Sequence, residues 1–141
     1  MKKVLATGTF DLLHPGHLHY LRESAELGDE LHVIVARSSM VEHKEAPVVP
    51  EEQRLRMVSA LKPVDEAILG SDESIFEPLY EMRPDVITLG YDQHYSEEDL
   101  KDELRERGLE SDVVRVSKKE ENENEITSTS EIVERVLERR G

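Results

Sequence analysis

Short apolar runs alternate along this chain with longer stretches of helical period. Residues 3–7, 30–36, 66–69, 85–89 and 112–116 are brief and rich in Val, Ile and Leu, which predicts strands, the runs at 30–36 and 85–89 being apolar enough for cover on both faces. Between them the period changes. From Pro15, the residues Leu18, Leu21, Ala25 and Leu27 form one stripe that stops at Gly28, a helix with a C-terminal glycine. Pro50-Glu51-Glu52 opens a second helix, lined by Leu55, Val58, Ala60 and Leu61 and ended by Lys62-Pro63. Residues 74–82 read as a third, broken by Arg83-Pro84. Ser96 caps a polar fourth that runs to about Arg107 and stops at Gly108. Thr127-Ser128-Thr129-Ser130-Glu131 opens a last helix carrying Ile132, Val133, Val136 and Leu137.

Strictly alternating strands and helices predict an α/β fold: one Rossmann-like domain over residues 1–141, with a doubly wound, parallel five-stranded sheet and helices on both faces. In such sheets ligands bind beyond the carboxyl ends of the strands, at the topological switch point. The Gly8 turn, the loop after Ala36, the Gly90 turn and the loop after Val116 all fall on that edge. Residues 37–49 have no period and read as a loop, as does the charged run 118–125.

Composition narrows the partners. The 141 residues hold 32 acidic and 18 basic side chains, a formal net charge of −14. Nucleic acid and anionic membranes demand a positive face, so both are disfavoured. There are no cysteines, which removes disulfides, thiolate metal sites and cysteine nucleophiles. No apolar run approaches the ~20 residues of a membrane helix. Met1-Lys2-Lys3 leads into a strand pattern without a leader-type apolar region, so the expected location is the cytoplasm.

Chemistry concentrates between Val4 and His17. A strand, a glycine turn and a helix starting at Pro15 offer backbone N–H groups and a helix dipole to an anion. His14 and His17, three positions apart, add imidazoles on one helix face. A metal site is the weaker reading, because no further ligand stands out; His43 and His94 lie in loops, while His19 and His32 fall within helix and strand patterns as structural residues. Asp11 can fix the turn or help hold Mg²⁺. Asp92, after a strand end and Gly90, stands where a carboxylate accepts hydrogen bonds from a base amino group or a ribose hydroxyl.

Gly8-Thr9-Phe10-Asp11 with His14-Pro15-Gly16-His17 resembles the cytidylyltransferase-like branch of the HxGH nucleotidyltransferases. Residues 50–54, 61–65, 67–70 and 89–93 look most like the archaeal FAD synthases within it. The resemblance implies that AMP passes from ATP to the phosphate of FMN with Mg²⁺, giving FAD and pyrophosphate. It implies that Thr9, Phe10, His14, Pro15, Gly16 and His17 meet the triphosphate, the two histidines stabilising the reacting phosphorus. Lys44 resembles the family's phosphate-contacting loop lysine. Gly90 and Asp92 match its nucleoside-binding turn, and Thr127, Ser128 and Thr129 its second phosphate-binding signature. Arg54, Lys62, Arg115 and Tyr91 are candidate contacts to the acceptor or to phosphate. The cytidylyltransferase pattern carries an arginine just before the second signature, and here Arg115, Lys118 and Lys119 are the cations nearest in sequence. By analogy with relatives, the protein is expected to be a homodimer.

Two alternatives stand beside this expectation. One is a cytidylyltransferase that uses CTP and acts on glycerol-3-phosphate or another small phosphate ester. The other is a nucleotide-binding module without catalysis, which loss of either histidine would favour. Gln93, where cytidylyltransferases often present an aromatic residue, and the missing arginine favour FMN. A flavin needs a broad apolar slot, for which Met40, Val41, Val48, Val49, Tyr91 and Tyr95 are the candidates.

Overall fold

A computed structural model describes residues 1–41, 46–93, 95–120 and 125–141. Lys44 therefore lies outside the described residues, as do His43 and His94. Five strands, β1 (Lys3–Gly8), β2 (Glu30–Val35), β3 (Glu66–Leu69), β4 (Val86–Leu89) and β5 (Asp112–Arg115), form one sheet in the order β3-β2-β1-β4-β5. Every neighbouring pair is parallel. The chain runs outward from β1 to β3, then returns across the sheet to β4. β1 and β4 are thus the adjacent strands at which the winding reverses, the place where a crevice opens.

The helices are α1 (Pro15–Ala25), α2 (Glu51–Ser59), α3 (Glu77–Met82), α4 (Glu97–Glu106) and α5 (Thr129–Arg140). The pleat sends alternate side chains to opposite faces, and the core divides accordingly. Val4, Ala6, Val33 and Val35 pack with Leu21 of α1 and Val58 of α2. Leu5, Ile34, Ile87 and Leu89 pack with Leu79 of α3 and Leu100 and Leu104 of α4. Fully burying such a side chain contributes ~1.5–3 kcal/mol, and these two clusters hold the sheet in its three-layer sandwich.

Three departures from the sequence reading have local causes. α3 begins at Glu77 rather than at Ser74: the Ser71 and Ser74 hydroxyls accept the N–H groups of Glu73 and Phe76, competing with helical pairing. The loop after β2 contains a short 3₁₀ turn, Ser38–Met40. α5 fully buries none of its residues: Ile132 and Val133 are half-buried, while Val136 is 53% exposed and Leu137 65%, so among the described residues the end of the apolar stripe read there is left uncovered. Among the described residues, no helix is long and apolar enough to cross a membrane.

Candidate active site

The turn after β1 is built around a ring. Phe10 is buried with φ of 52°, a left-handed backbone that a bulky residue adopts only where surroundings hold it. Its ring lies over Gly8, where a Cβ would come within 2.9 Å of the Phe10 Cε2 atom. The glycine is thus needed for room. Asp11 follows, and its two carboxylate oxygens accept the N–H groups of Val48 and Val49 at 2.9 and 2.8 Å. Of the two roles open to Asp11, the structure fills the turn-fixing one.

α1 begins with a reciprocal cap made by the two histidines. The Gly16 N–H donates to His14 Nδ1 at 3.1 Å, and the His14 N–H donates to His17 Nδ1 at 3.2 Å. The His17 N–H donates to the His14 carbonyl. The backbone donors expected to face an anion are therefore taken up internally, a correction to the sequence reading. In exchange the tautomers are set. Each Nδ1 accepts, so each neutral ring carries its hydrogen on Nε2. The ring centroids are 3.9 Å apart, and Phe10 lies 5.4 Å from His17. Burial pushes the His14 pKa down, and the Asp92 carboxylate opposes that shift in part. Gly16 stays small for this pair: a Cβ there would stand 2.8 Å from His14 Cε1 and 3.3 Å from the Thr127 carbonyl.

That carbonyl belongs to the second motif. Thr129, the first residue of α5, donates its hydroxyl to the Leu12 carbonyl at 3.3 Å, and Ser128 caps the helix by accepting from the Glu131 N–H. Residues 127–129 thus meet residues 12–16 across more than a hundred positions of sequence. Pro15 occupies the first position of α1, where its lack of an N–H costs nothing.

The Gly90 turn comes from β4 on the other side of the crevice. Gln93 Oε1 accepts the Gly90 N–H at 2.6 Å. Arg115 spans the whole loop: it donates to the carbonyls of Gly90 at 2.8 Å and Gln93 at 3.1 Å, to that of Tyr95, and to Glu97. Asp92 is left exposed on this braced loop, facing His14. Tyr91 is half-exposed with Lys118 Nζ 5.6 Å from its ring centroid; Tyr95 and Val48 are also exposed.

Three expected phosphate or acceptor contacts need correction. The Arg54 guanidinium is 1% exposed and fully engaged. It donates to the Val49, Thr9 and Ala36 carbonyls and to the Ser38 hydroxyl at 2.7–2.9 Å. Arg115, partly exposed, commits its donors to the Gly90 loop and Glu97, so both arginines are engaged in shaping loops. Lys62 is exposed in the connection from α2 to the start of β3. In a parallel sheet that is the amino edge, a strand's length from the site. Of the cations suggested for the missing arginine, Lys119 pairs with Glu125, Arg115 is engaged by the Gly90 loop, and Lys118 stands by the Tyr91 ring. Sequence reading passed over Gln93 and Glu51 as loop anchors; Glu51 accepts the Ser38 N–H and pairs with Arg37. The signal available for Glu51 was its place right behind the helix-opening proline.

The geometry can do one kind of chemistry well. Two imidazoles with Nε2 hydrogens, a helix start and a second helix start converge beside a carboxylate at the switch point. Imidazole N–H donors of this kind suit an anion and the charge that develops on it.

Comparison with known proteins agrees. A family model described as cytidylyltransferase-like matches residues 5–135. An FAD synthase of Ferroglobus placidus is 58% identical over 137 residues, spanning 97% of this chain and 89% of the relative. One from Methanothrix thermoacetophila is 60% identical over 140 residues, spanning 99% and 96%. The crystal structure of a protein from Thermoplasma volcanium, described as a lipopolysaccharide core biosynthesis protein, superposes with a TM-score of 0.82 at 46% identity. It covers 85% of this chain and 99% of its own.

Proposed function

This chain belongs to the cytidylyltransferase-like family, and from that premise we propose that it transfers AMP from ATP to FMN, giving FAD and pyrophosphate. The observation that carries this reading is the full-length identity to FAD synthases together with both histidines capped in the Nε2–H form.

One FMN phosphate oxygen attacks the α-phosphorus of ATP. A new P–O bond forms as the bond to the β-phosphate oxygen breaks, and pyrophosphate leaves with that electron pair. The attacking phosphate is already an anion near neutral pH, so no general base is required. The work of the protein is positioning and charge stabilisation. His14 and His17 donate from Nε2 to the phosphoryl oxygens as charge builds on them. Thr9, Phe10, Pro15 and Gly16 shape the turn under the triphosphate. Thr127, Ser128 and Thr129 receive its β- and γ-phosphates, and Lys44 adds a cation from the loop after β2. Asp92 accepts from the nucleoside, with Gly90 at the base of its turn. Tyr91, Tyr95 and Val48, exposed on neighbouring loops, offer the flavin an apolar surface.

A divalent ion, Mg²⁺, accompanies ATP. Among the described residues, no three His, Asp or Glu side chains are grouped to hold a metal, and both Asp11 oxygens already accept backbone N–H groups. The donor set fits an ion held by phosphates and water, with the Asp92 carboxylate, whose charge His14 feels, on the same side. When bound, the ion neutralises triphosphate charge in a strongly acidic protein. The 141 residues act as one domain, in the cytoplasm. A second copy covers the apolar stripe of α5, where Glu131 and Glu134 at one end and Arg139 and Arg140 at the other are complementary in an antiparallel pair.

Pyrophosphate release tests the assignment. ATP and CTP are each offered with FMN and with glycerol-3-phosphate, with Mg²⁺ and with excess chelator. ATP with FMN and Mg²⁺ is expected to turn over at least 10²-fold faster than any other pairing, and chelator to abolish it. Preference for CTP with glycerol-3-phosphate would overturn the acceptor and the nucleotide together.

A further inference from the structure

The β1–β4 ladder ends early. On its other side β1 stays paired with β2 through Gly8↔Val35, and β4 stays paired with β5 through Leu89↔Arg115. Between β1 and β4 the register stops at Ala6↔Thr88. The Gly8 carbonyl accepts from the Ala36 N–H on the β2 side. In a parallel ladder successive residues bond to opposite neighbours, so the Thr7 N–H points toward β4, and the Thr88 carbonyl is its place in the ladder.

A side chain from α1 takes both groups. The Thr7 N–H donates to the Tyr20 hydroxyl at 3.1 Å, and that hydroxyl donates to the Thr88 carbonyl at 2.9 Å. The Ser24 hydroxyl donates to the Tyr20 carbonyl at 2.7 Å, and Ser24 Oγ lies 2.8 Å from Thr88 Oγ1, which is also 3.3 Å from both the Leu5 carbonyl and the Tyr20 hydroxyl. Thr88 and Ser24 are wholly buried, so each of these bonds offsets a desolvation cost. Burial also raises the Tyr20 pKa, which keeps the donated proton in place at neutral pH.

The location gives the network its consequence. Thr7 lies one residue before Gly8, and Thr88 two before Gly90. The loops that leave from these points carry Phe10 and Asp11 on one side and Asp92 on the other. Tyr20 lies one turn of α1 beyond His17. One hydroxyl therefore ties together the end of β1, the end of β4 and the helix that bears both histidines.

We propose that Tyr20 is a positioning residue of the transfer reaction: its hydroxyl, bridging Thr7 and Thr88, sets the opening between β1 and β4 and holds His14 and His17 against it. The inference rests on the proposed use of those histidines. Phenylalanine at this position would keep the apolar packing and lose the bridge.

Tyr20→Phe is compared with Ser24→Ala, which breaks the same buried network but leaves both backbone contacts of the Tyr20 hydroxyl. Misplacement of reacting groups by ~1 Å can cost up to ~10²-fold in rate. For Tyr20→Phe, kcat is expected to fall at least ~10-fold with the KM for ATP within ~3-fold. For Ser24→Ala, kcat is expected within ~3-fold at a similar loss of Tm. Equal kcat in the two variants at equal Tm would overturn the proposal, since the hydroxyl would then serve stability alone. Imidazole ¹⁵N spectra without substrate give a readout independent of the reaction. In wild type and in both variants His14 and His17 are expected to stay Nε2–H tautomers, because the cap between residues 14 and 17 is kept, but their ¹⁵N and ¹H shifts are expected to move in Tyr20→Phe and not in Ser24→Ala; shifts unchanged in Tyr20→Phe would count against the proposal. Failure of the wild type to release pyrophosphate from ATP and FMN would instead strike the functional reading, while the spectra still judge Tyr20. Should Tyr20→Phe not fold, 3,5-difluorotyrosine at position 20 keeps the ring and ionises more readily. kcat is then expected to fall as pH rises through that ionisation, and a profile identical to wild type would overturn the proposal.

Discussion

His14→Asn is expected to lower kcat by at least ~10²-fold while leaving the folded protein nearly as stable as wild type. The contrast follows from the two ends of one ring. Nδ1 accepts the Gly16 N–H, a capping bond that asparagine, among the best N-cap residues, can replace. In the proposed transfer the Nε2 hydrogen donates to the reacting phosphate, and the shorter amide would not reach it. His14→Ala loses both ends and should add ~1 kcal/mol of destabilisation to the same loss of rate. Denaturant unfolding beside initial rates separates the two. Near-wild-type turnover in His14→Asn would sink the role given to this histidine.

The same residue gives a pH dependence whose sign is determined. The folded pKa of His14 is depressed below 6.5, chiefly by burial. The unfolded chain therefore binds the proton more readily than the folded one. The stability that His14 contributes is complete above pH 6.5 and is lost as pH falls through the lower folded value. Protonation also takes the Nδ1 lone pair that accepts Gly16, so the cap opens in the same range. Wild type should lose stability on this acid limb, and His14→Asn should lose less.

Arg54→Met is expected to destabilise the protein by roughly 3–5 kcal/mol, a large share of the ~5–15 kcal/mol typical of a domain. The guanidinium supplies the Thr9, Ala36 and Val49 carbonyls and the Ser38 hydroxyl at once. Each buried acceptor left without its donor costs ~1–3 kcal/mol. The Asp11 and Glu51 carboxylates would also lose the cation they interact with. Arg54→Lys should recover little, because an ammonium is a point donor and cannot span acceptors spread along a planar fork. A loss below ~1 kcal/mol in urea unfolding would contradict this role. The loop after β2 and the turn after β1 are joined through this side chain, so surviving activity should show a raised KM for ATP.

The sequence made the frame legible because its period changes sharply between strand and helix. β2 and β4 announce themselves as unbroken apolar runs, and the alternation of elements leads directly to a switch point beside Gly8 and Gly90. His14 and His17 stood out as a pair at a helix start; their reciprocal capping bonds are the structural use the structure gives them, and their part in the transfer belongs to the proposed function. The three basic residues were not. A buried arginine whose acceptors are main-chain carbonyls leaves no trace in the pattern, and Arg54 and Arg115 read like any polar residue of a helix or strand end. Lys62 could have been set aside from topology alone, since the connection leading into β3 must return to the amino edge. The tautomers of the histidines depend on backbone N–H directions and appear only with coordinates. Tyr20 sits between Leu18 and Leu21 in an apolar stripe, where its ring belongs and its hydroxyl gives no signal. The stripe on α5 is apolar as read, but among the described residues its end at Val136 and Leu137 stays exposed, which no pattern in the sequence announces.

FAD formation with position-labelled ATP tests the central claim most directly. The protein is incubated with FMN, Mg²⁺ and ATP labelled with ³²P at either the α- or the γ-phosphate, and FAD and pyrophosphate are separated and counted. In-line attack on the α-phosphorus requires the α label to appear in FAD, the γ label in pyrophosphate, and the two products in equal amounts. Absence of label from FAD in the α experiment, or passage of the γ label into a flavin product, would contradict the account.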